Sequence, residues 1–409
     1  MSAENNVPAI RFKGFCGDWH EKALGELSDI VRGASPRPIE DPKWFDTQSN
    51  VGWLRIRDVS EQNGRIYYLK QRISKLGEEK TRVLTEPHLL LSIAASVGKP
   101  VINYVSTGVH DGFLIFLKPI FDREYLFQWL KSFEKEWQKY GQPGSQVNLN
   151  SDIVKNQNIS IPEPEEQTKI GNYFQQLDTL IAQHQQKHDK LLNIKKSLLE
   201  KMFPKQEATV PEIRFNGFSG EWEEKVLGDN ADFSKGQGYS KSDLVAEGTL
   251  IILYGRLYTQ YQTVIYDVDT FAIENNKSIF SNGNEVVVPA SGETAEDISR
   301  ASAVVQSGVL LGGDLNIIYP SNKLDSIFLA LTLSNGKPQK DLSRRAQGKS
   351  VVHLRNNDLK EVDISYPDIT EQTKIGNLFK QLDTLLTQHQ AQLKKLNNIK
   401  QACLEKMFV

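Results

Sequence analysis

At 409 residues and a net charge of −2, the chain can hold two or three domains and lacks the basic surplus of a free-standing nucleic-acid binder. Its 39% hydrophobic and 24% charged content is that of a globular protein, and no apolar run nears the roughly 20 residues that span a bilayer, so no membrane role is expected. Only two cysteines, Cys16 and Cys403, and an N-terminus (Met1 to Asn6) with no basic or apolar leader point to the cytoplasm.

The chain opens with Val7-Pro8-Ala9-Ile10-Arg11-Phe12-Lys13-Gly14-Phe15 and Trp19. A mixed α/β insert follows. Gly52 to Val59 alternates, which predicts a strand with Leu54 and Ile56 on one face and Arg55 and Arg57 on the other. Leu89 to Ala94 and Phe113 to Leu117 read as buried strands, and Asp122 opens a helix with Leu126, Trp129, Leu130, Phe133 and Trp137 on one side.

Residues 166–203 then predict one long helix, with Pro162 and Pro164 before it and Pro204 after it. Ile170, Phe174, Leu177, Ile181, Leu191, Leu198 and Met202 fall on alternating steps of four and three, a heptad seam. Polar His184, His188 and Lys195 interrupt it. Two histidines four apart suit a metal, but no further ligand accompanies them, and the second copy of this helix has Leu393 in place of His188. Seam polar groups more simply fix register.

At Val210-Pro211-Glu212-Ile213-Arg214-Phe215-Asn216-Gly217-Phe218 and Trp222 the opening returns. A second insert carries Leu250 to Tyr254, Glu285 to Val288, Val309 to Leu311 and Leu315 to Tyr319 as strands. Asp325 opens a helix with Phe328, Leu331 and Leu333, which Asn335-Gly336 and Pro338 should stop. Residues 371–385 then repeat 166–180 with only Tyr173→Leu378 and Gln175→Lys380 changed, at a constant offset of 205 residues (166 to 371, 202 to 407). The seam recurs as Ile375, Phe379, Leu382, Leu386, Leu393, Leu396, Cys403 and Met407, with His389 and Lys400 as its polar members. A 38-residue helix is about 57 Å long, and so narrow a stripe needs a partner, which the other copy supplies.

The expected architecture is α+β. Two mixed α/β domains, 1–161 and 205–366, are joined by long helices in 162–204 and 367–409, packed as an antiparallel intramolecular coiled coil with approximate two-fold symmetry. The enzyme signatures sought in the sequence fail. Gly348-Lys349-Ser350 resembles the end of a phosphate loop, but residue 343 is Ser where glycine is required. Gly236-Gln237-Gly238 lacks a third glycine. No catalytic triad, zinc set or methyltransferase tetrapeptide is visible, so neither catalysis nor a cofactor is expected.

The duplicated openings and the Pro-x-x-x-Glu-Gln-x-Lys-Ile-Gly…Leu-Asp…Leu helix heads resemble the specificity subunit of Type I DNA restriction–modification systems. So do Gly33-Ala34-Ser35-Pro36…Trp44…Trp53-Leu54-Arg55-Ile56 and Val288-Pro289-Ala290-Ser291-Gly292-Glu293-Thr294-Ala295-Glu296-Asp297-Ile298. The likeness spans nearly the whole chain. It implies a non-catalytic subunit with two target-recognition domains, each reading one half of a bipartite target in double-stranded DNA. The helices would set the gap and dock methyltransferase subunits, two of them, with restriction subunits joining through the complex. A rod of about 57 Å can span half-sites one helical turn, roughly 34–36 Å, apart. The competing readings are a two-headed coiled-coil scaffold for protein partners and a stand-alone DNA-modifying enzyme.

Basic stretches lie in both inserts: nine Lys/Arg against five Asp/Glu from Lys43 to Arg82, and five against one from Lys337 to Lys349. The first insert's DNA-contacting candidates are Arg32, Arg37, Arg55, Arg57, Arg72, Lys75, Lys80 and Arg82. The second's are Lys235, Gln237, Tyr239, Lys241, Tyr254, Arg256, Tyr258, Tyr261, Arg344, Arg345 and Lys349. Arginine and lysine suit guanine edges and phosphates, and Gln suits adenine. For each charge the plainer account is a solvated surface group, and for the tyrosines 254–261 it is strand packing.

Overall fold

The computed structural model describes residues 7–140, 149–205, 208–348 and 350–408; the six N-terminal residues read above for a leader, and Lys349, lie outside them. Contacts divide the chain into two units, Met1–Gln185 with Ala391–Val409, and Gln186–Gln390. Two helices of 38 residues, Pro164–Lys201 and Ile369–Lys406, each run from one unit into the other. Pro164 starts the first without losing a helical hydrogen bond. The Asp368 carboxylate accepts from Thr370 N at 2.8 Å to start the second.

In the first unit, the head of the first helix packs against the tail of the second. Phe174 stacks on Phe408 at 5.8 Å, and one turn further Asp178 pairs with Lys400. Advancing along one helix means retreating along the other, so the pairing is antiparallel. Ile170, Phe174 and Leu177 share a core with Leu404 and Met407, flanked by Leu396 and Cys403. In the second unit the equivalent residues repeat the pattern. Phe379 meets Phe203, Asp383 pairs with Lys195, and Ile375, Phe379 and Leu382 share a core with Met202, Leu191 and Leu198. Ile181 and Leu386 are half-buried, and Leu393 is buried. Each buried seam side chain contributes about 1.5–3 kcal/mol.

The repeated motif is explained by what its residues touch. Arg11 of the opening gives a two-pronged pair to Glu166, both bonds at 2.7 Å, and Arg214 does the same to Glu371. The next residue, Gln167, accepts from Asp122 N at 2.9 Å and donates to Pro162 O at 2.8 Å. Gln372 does this with Asp325 N and Pro367 O. Lys169 lies over the rings of Phe12 and Phe15, and Lys374 over Phe218. Gly171 lets the helix meet the capped start of helix Arg123–Ser132.

Both inserts are built on one five-stranded sheet. Its order in the first unit is Asp29–Arg32, Phe113–Leu117, Leu89–Ser92, Pro100–Asn103, Arg65–Ile66, antiparallel except for the last pair. In the second it is Ala231–Lys235, Leu315–Pro320, Glu285–Pro289, Ser302–Val304, Val264–Ile265, with the same directions. A second sheet also has a shared centre. Gly52–Leu54, Thr107–Val109 and Arg82–Leu84 correspond to Thr249–Ile252, Ser307–Leu311 and Phe280–Asn282. The second unit extends this sheet with Phe271–Ala272 and Leu244–Val245.

Three expectations need correction. The strand expected over Gly52 to Val59 ends at Leu54, and a helix runs from Ile56 to Glu61. Arg55 closes its start with Asp58, which accepts from both the Arg55 backbone and its guanidinium, so the apparent alternation was a cap. Asn335-Gly336 does end helix Ser326–Leu333, but Pro338 lies in the first turn of another helix, Gly336–Arg345, where proline is tolerated. Tyr254 and Tyr258 pack edge to face at 6.0 Å on the turn and short helix after strand Thr249–Ile252, not within a strand.

The first unit surrounds its Asp178–Lys400 pair with further charge. Arg65 bonds Glu124 at 2.7 Å and Asp178 at 3.1 Å, and Gln128 donates to Asp178 at 3.0 Å. Lys131 lies beside Lys400, and its pKa is pushed down to about 8 by burial first and by Lys400 second. In the second unit the sheet register puts Val264 where Arg65 stands, and the helix start puts Ile327 where Glu124 stands.

Candidate nucleic-acid interface

Around the loops that leave the shared sheets, part of the candidate set comes together. In the first unit, strand Asp29–Arg32 ends at Gly33, where a Cβ would collide with the carbonyl oxygen of His110. Only glycine allows this approach, and it seats the loop from Ala34 onward against the turn His110-Asp111-Gly112. Ala34 N donates to Val109 O at 3.0 Å, fixing the register.

Two arginines bond that turn, and a third bonds the backbone of one of them. Arg32 Nε donates to Asp111 O at 2.6 Å, and Arg37 Nη2 donates to the Asp111 carboxylate at 2.6 Å. Arg82 Nε donates to Arg32 O at 2.9 Å. Ser35 completes the turn, donating to Asp111 Oδ1 at 2.9 Å and accepting from Asp111 N at 3.1 Å. Burial works against the Asp111 carboxylate, but the Ser35 hydroxyl and the charges of His110, Arg37 and Arg32 outweigh it and hold its pKa low. The Arg37 side chain nevertheless remains 71% exposed. Asp111 was missed in the sequence, and Ser35 stood there only within the Gly33-Ala34-Ser35-Pro36 stretch; Asp111-Gly112 is a turn signal, but nothing marked what the carboxylate would hold.

The other first-unit candidates lie elsewhere. Arg55 is engaged with Asp58, and Arg57 faces Glu61 at 3.4 Å. Arg72 donates to Ser49 O at 2.7 Å, Lys75 pairs with Glu78 at 2.9 Å, and Lys80 is exposed.

In the second unit the same geometry carries different chemistry. Gly236 meets Gly312 as Gly33 meets His110, and Gln237 N donates to Leu311 O at 3.2 Å. Counting from these shared contacts, Gly313 takes the place of Asp111, and Ser240 that of Arg37. Gly313 lines a cleft of about 980 Å³, together with Lys241, Tyr254, Arg256 and Tyr258 among others. Burial, and Tyr254 after it, push the Tyr258 hydroxyl up to about 12, so it stays a neutral donor at any physiological pH.

Two candidates there are occupied within the unit. Tyr239 is buried, and its hydroxyl bonds Ile273 O and Ser278. Arg256 is only 14% exposed and bonds Asp269 at 2.7 Å, Gln260, Gln262 and Asp267 O. Lys235, Gln237 and Lys241 are exposed, and Tyr261 donates to Ala301 O at 3.3 Å. Arg344 and Arg345 lie apart on helix Gly336–Arg345, the former exposed and the latter paired with Asp341 and Glu361; Lys349 is outside the described residues. Among the described residues no three His, Cys, Asp or Glu side chains form a metal-binding group, and no helix is long and apolar enough to cross a membrane.

The model of the Type I restriction modification DNA specificity domain matches the chain twice, over residues 17–193 and 219–398. The specificity subunit of Type I restriction enzyme MjaVIII from Methanocaldococcus jannaschii is 20% identical, over 90% of this chain and 87% of the relative. That of MjaIX from the same organism is 21% identical, over 95% and 92%. Among solved structures, the S subunit of a Type I restriction-modification system from M. genitalium superimposes with a TM-score of 0.60 at 15% identity, covering 98% of this chain and 99% of that one. The doubled frame, the two like-built inserts and the doubled match together mean that this chain belongs to the family of Type I restriction–modification DNA-specificity subunits.

Proposed function

We propose that each insert reads one half of a bipartite DNA target, and that the two long helices set the gap between the halves. In this reading 1–161 and 205–366 are the recognition domains, and 162–204 and 367–409 the helical frame. The frame also docks two methyltransferase subunits, through which restriction subunits join. The chain itself carries no catalysis and works in the cytoplasm beside the chromosome. One observation supports this above the rest: the two units share frame contacts and sheet order, yet differ at the equivalent turn, Asp111 against Gly313. Two unlike readers on one frame suit an asymmetric target, whereas a symmetric dimer reads only a palindrome.

Methylome sequencing of cells with and without the chain tests the reading. A bipartite, non-palindromic methylated motif should appear only with the chain; a palindromic or continuous motif would refute it. The gap is tested by inserting four residues after Gln185 and four after Gln390, the points in the sequence at which each helix passes from one unit to the other. Each helix gains about 6 Å, slightly over one turn, and the contacts inside each unit are kept. At ~3.4 Å per base pair, the gap should lengthen by one or two base pairs with both half-sites unchanged.

A further inference from the structure

We propose that Arg37 is the guanine-reading fork of the first half-site, held in its reading orientation by Asp111, and that this half-site therefore contains a guanine read from a turn at which the other unit carries no arginine. The inference rests on the reading of each insert as the reader of one half-site. A guanidinium recognises guanine by giving two parallel hydrogen bonds to O6 and N7. Such a contact needs a side chain that is both exposed and oriented, which a free surface arginine is not.

Arg37 meets both conditions. It is 71% exposed, yet one of its terminal nitrogens is held by the Asp111 carboxylate at 2.6 Å. Arginine has five N–H donors, so that bond leaves others free for a base. Asp111 is itself fixed: Ser35 bonds its carboxylate and its backbone, and Arg32 bonds its carbonyl oxygen. Trp53 packs edge to face on His110 at 5.8 Å beneath the turn. Arg37 is thus the exposed end of a rigid chain of contacts leading back to the sheet. Arg55 and Arg57, by contrast, belong to a helix start and its first turns.

Among the described residues the second unit has no such fork at the equivalent turn. Ser240 and Gly313 stand at the equivalent positions, and the arginine lining its cleft, Arg256, is half-buried and engaged with Asp269, Gln260 and Gln262. Asp111 is a positioning residue in this proposal, and Arg37 the one that touches the base.

The test uses the full chain assembled with its methyltransferase subunits, with the target read by methylome sequencing and by methylation of a randomised duplex library. In the wild type, one half-site should contain an invariant guanine. Arg37→Lys keeps the charge but loses the fork, and should weaken discrimination at that guanine on the order of ten- to a hundredfold, leaving the other half-site and the gap intact. Asp111→Asn should relax the same position less, without changing the other half. Arg37→Gln, measured alongside, should relax that position too. If Arg37→Lys methylates the wild-type motif with undiminished discrimination, Arg37 meets only phosphate and the proposal falls. It falls equally if the relaxed position is not a guanine, or if both halves degrade together. A wild-type motif that is not bipartite would instead remove the reading beneath it.

Discussion

The glycine in Lys-Ile-Gly is identical in the two repeats, yet its two copies should respond differently to alanine. At Gly171 an added Cβ would stand 2.7 Å from Asp122 Oδ1 and 2.9 Å from Tyr125 N. Those atoms are the two ends of one hydrogen bond, the 2.9 Å cap that starts helix Arg123–Ser132. The methyl would therefore push into a backbone amide and its cap together. Overpacking of this kind costs about 1–3 kcal/mol, and a lost cap about 1 kcal/mol more. Alanine regains about 1 kcal/mol of helix propensity, leaving a net loss of about 1–3 kcal/mol. At Gly376 the nearest atoms are Asp325 Oδ1 at 3.3 Å and Ile327 Cβ at 3.4 Å, tight but within what small shifts absorb. There the propensity gain should roughly cancel the crowding, leaving Gly376→Ala within about 1 kcal/mol of neutral. A chain of two units has no single unfolding free energy, so the assay is amide hydrogen exchange read segment by segment. Gly171→Ala should speed exchange in 123–132 on the order of ten- to a hundredfold, and Gly376→Ala should leave 326–333 nearly unchanged. Equal effects in the two helices would show that the close approach at Gly171 does not decide the outcome.

Three further predictions concern the seam, a buried cation and the chain's charge. Leu177→Asp and Leu382→Asp each place a lone carboxylate in an apolar seam and should cost a few kcal/mol, confined to the unit that holds the residue; exchange unaltered along both helices would refute the packing. Lys131, whose pKa falls from 10.5 to about 8, stays charged in both folded and unfolded chains below pH 8, so its desolvation cost is then present in full. Between about 8 and 10.5 the unfolded chain binds the extra proton, so stability rises with pH there. Lys131→Met should accordingly stabilise the first unit by at most about 3 kcal/mol at pH 7, with the gain vanishing near pH 10.5 in exchange-monitored titrations. With a net charge of −2, the isolated chain should bind DNA weakly and gain affinity on assembly, with steep salt dependence; tight, salt-insensitive binding by the chain alone would contradict this.

The frame was legible because its constraints are periodic. The heptad spacing from Ile170 to Met202 picked out residues that are buried or half-buried along the seam, and the polar seam members Lys195 and Lys400 found Asp383 and Asp178. Asp122 and Asp325 announced their helices because a short carboxylate before an apolar stripe has few other uses. The reading surface was less legible. Alternation over Gly52 to Val59 mimicked a strand, but Arg55 and Asp58, three apart and so on opposite faces of any strand, meet instead as partners in a helix cap. Tyr239 looked like a reader among polar neighbours, but its ring is in the core and its hydroxyl is satisfied internally. Beyond the turn dipeptide Asp111-Gly112, the role of Asp111 carried no signal, since its partners Ser35 and Arg37 lie more than 70 residues away.

Long-range contacts explain why the frame repeats nearly verbatim while the inserts drift. Arg11 and Glu166 are 155 residues apart, Arg214 and Glu371 157, and each carboxylate is almost fully buried. Removing one partner leaves the other charge uncompensated, at about 3–5 kcal/mol, so neither member can change alone. The turn residues carry no such obligation. Val109 and Phe113 are buried strand residues on either side of 110–112, and Leu311 and Leu315 are their counterparts around 312–314. A change from Asp to Gly at the middle of the turn alters the groups offered outward and leaves both strands in place. Substitution at 171 therefore tests the frame without touching what is offered to DNA, and substitution at 37 or 111 tests what is offered to DNA without touching the frame. If the two classes of variant failed in the same way, the separation of frame from reader would have no physical basis.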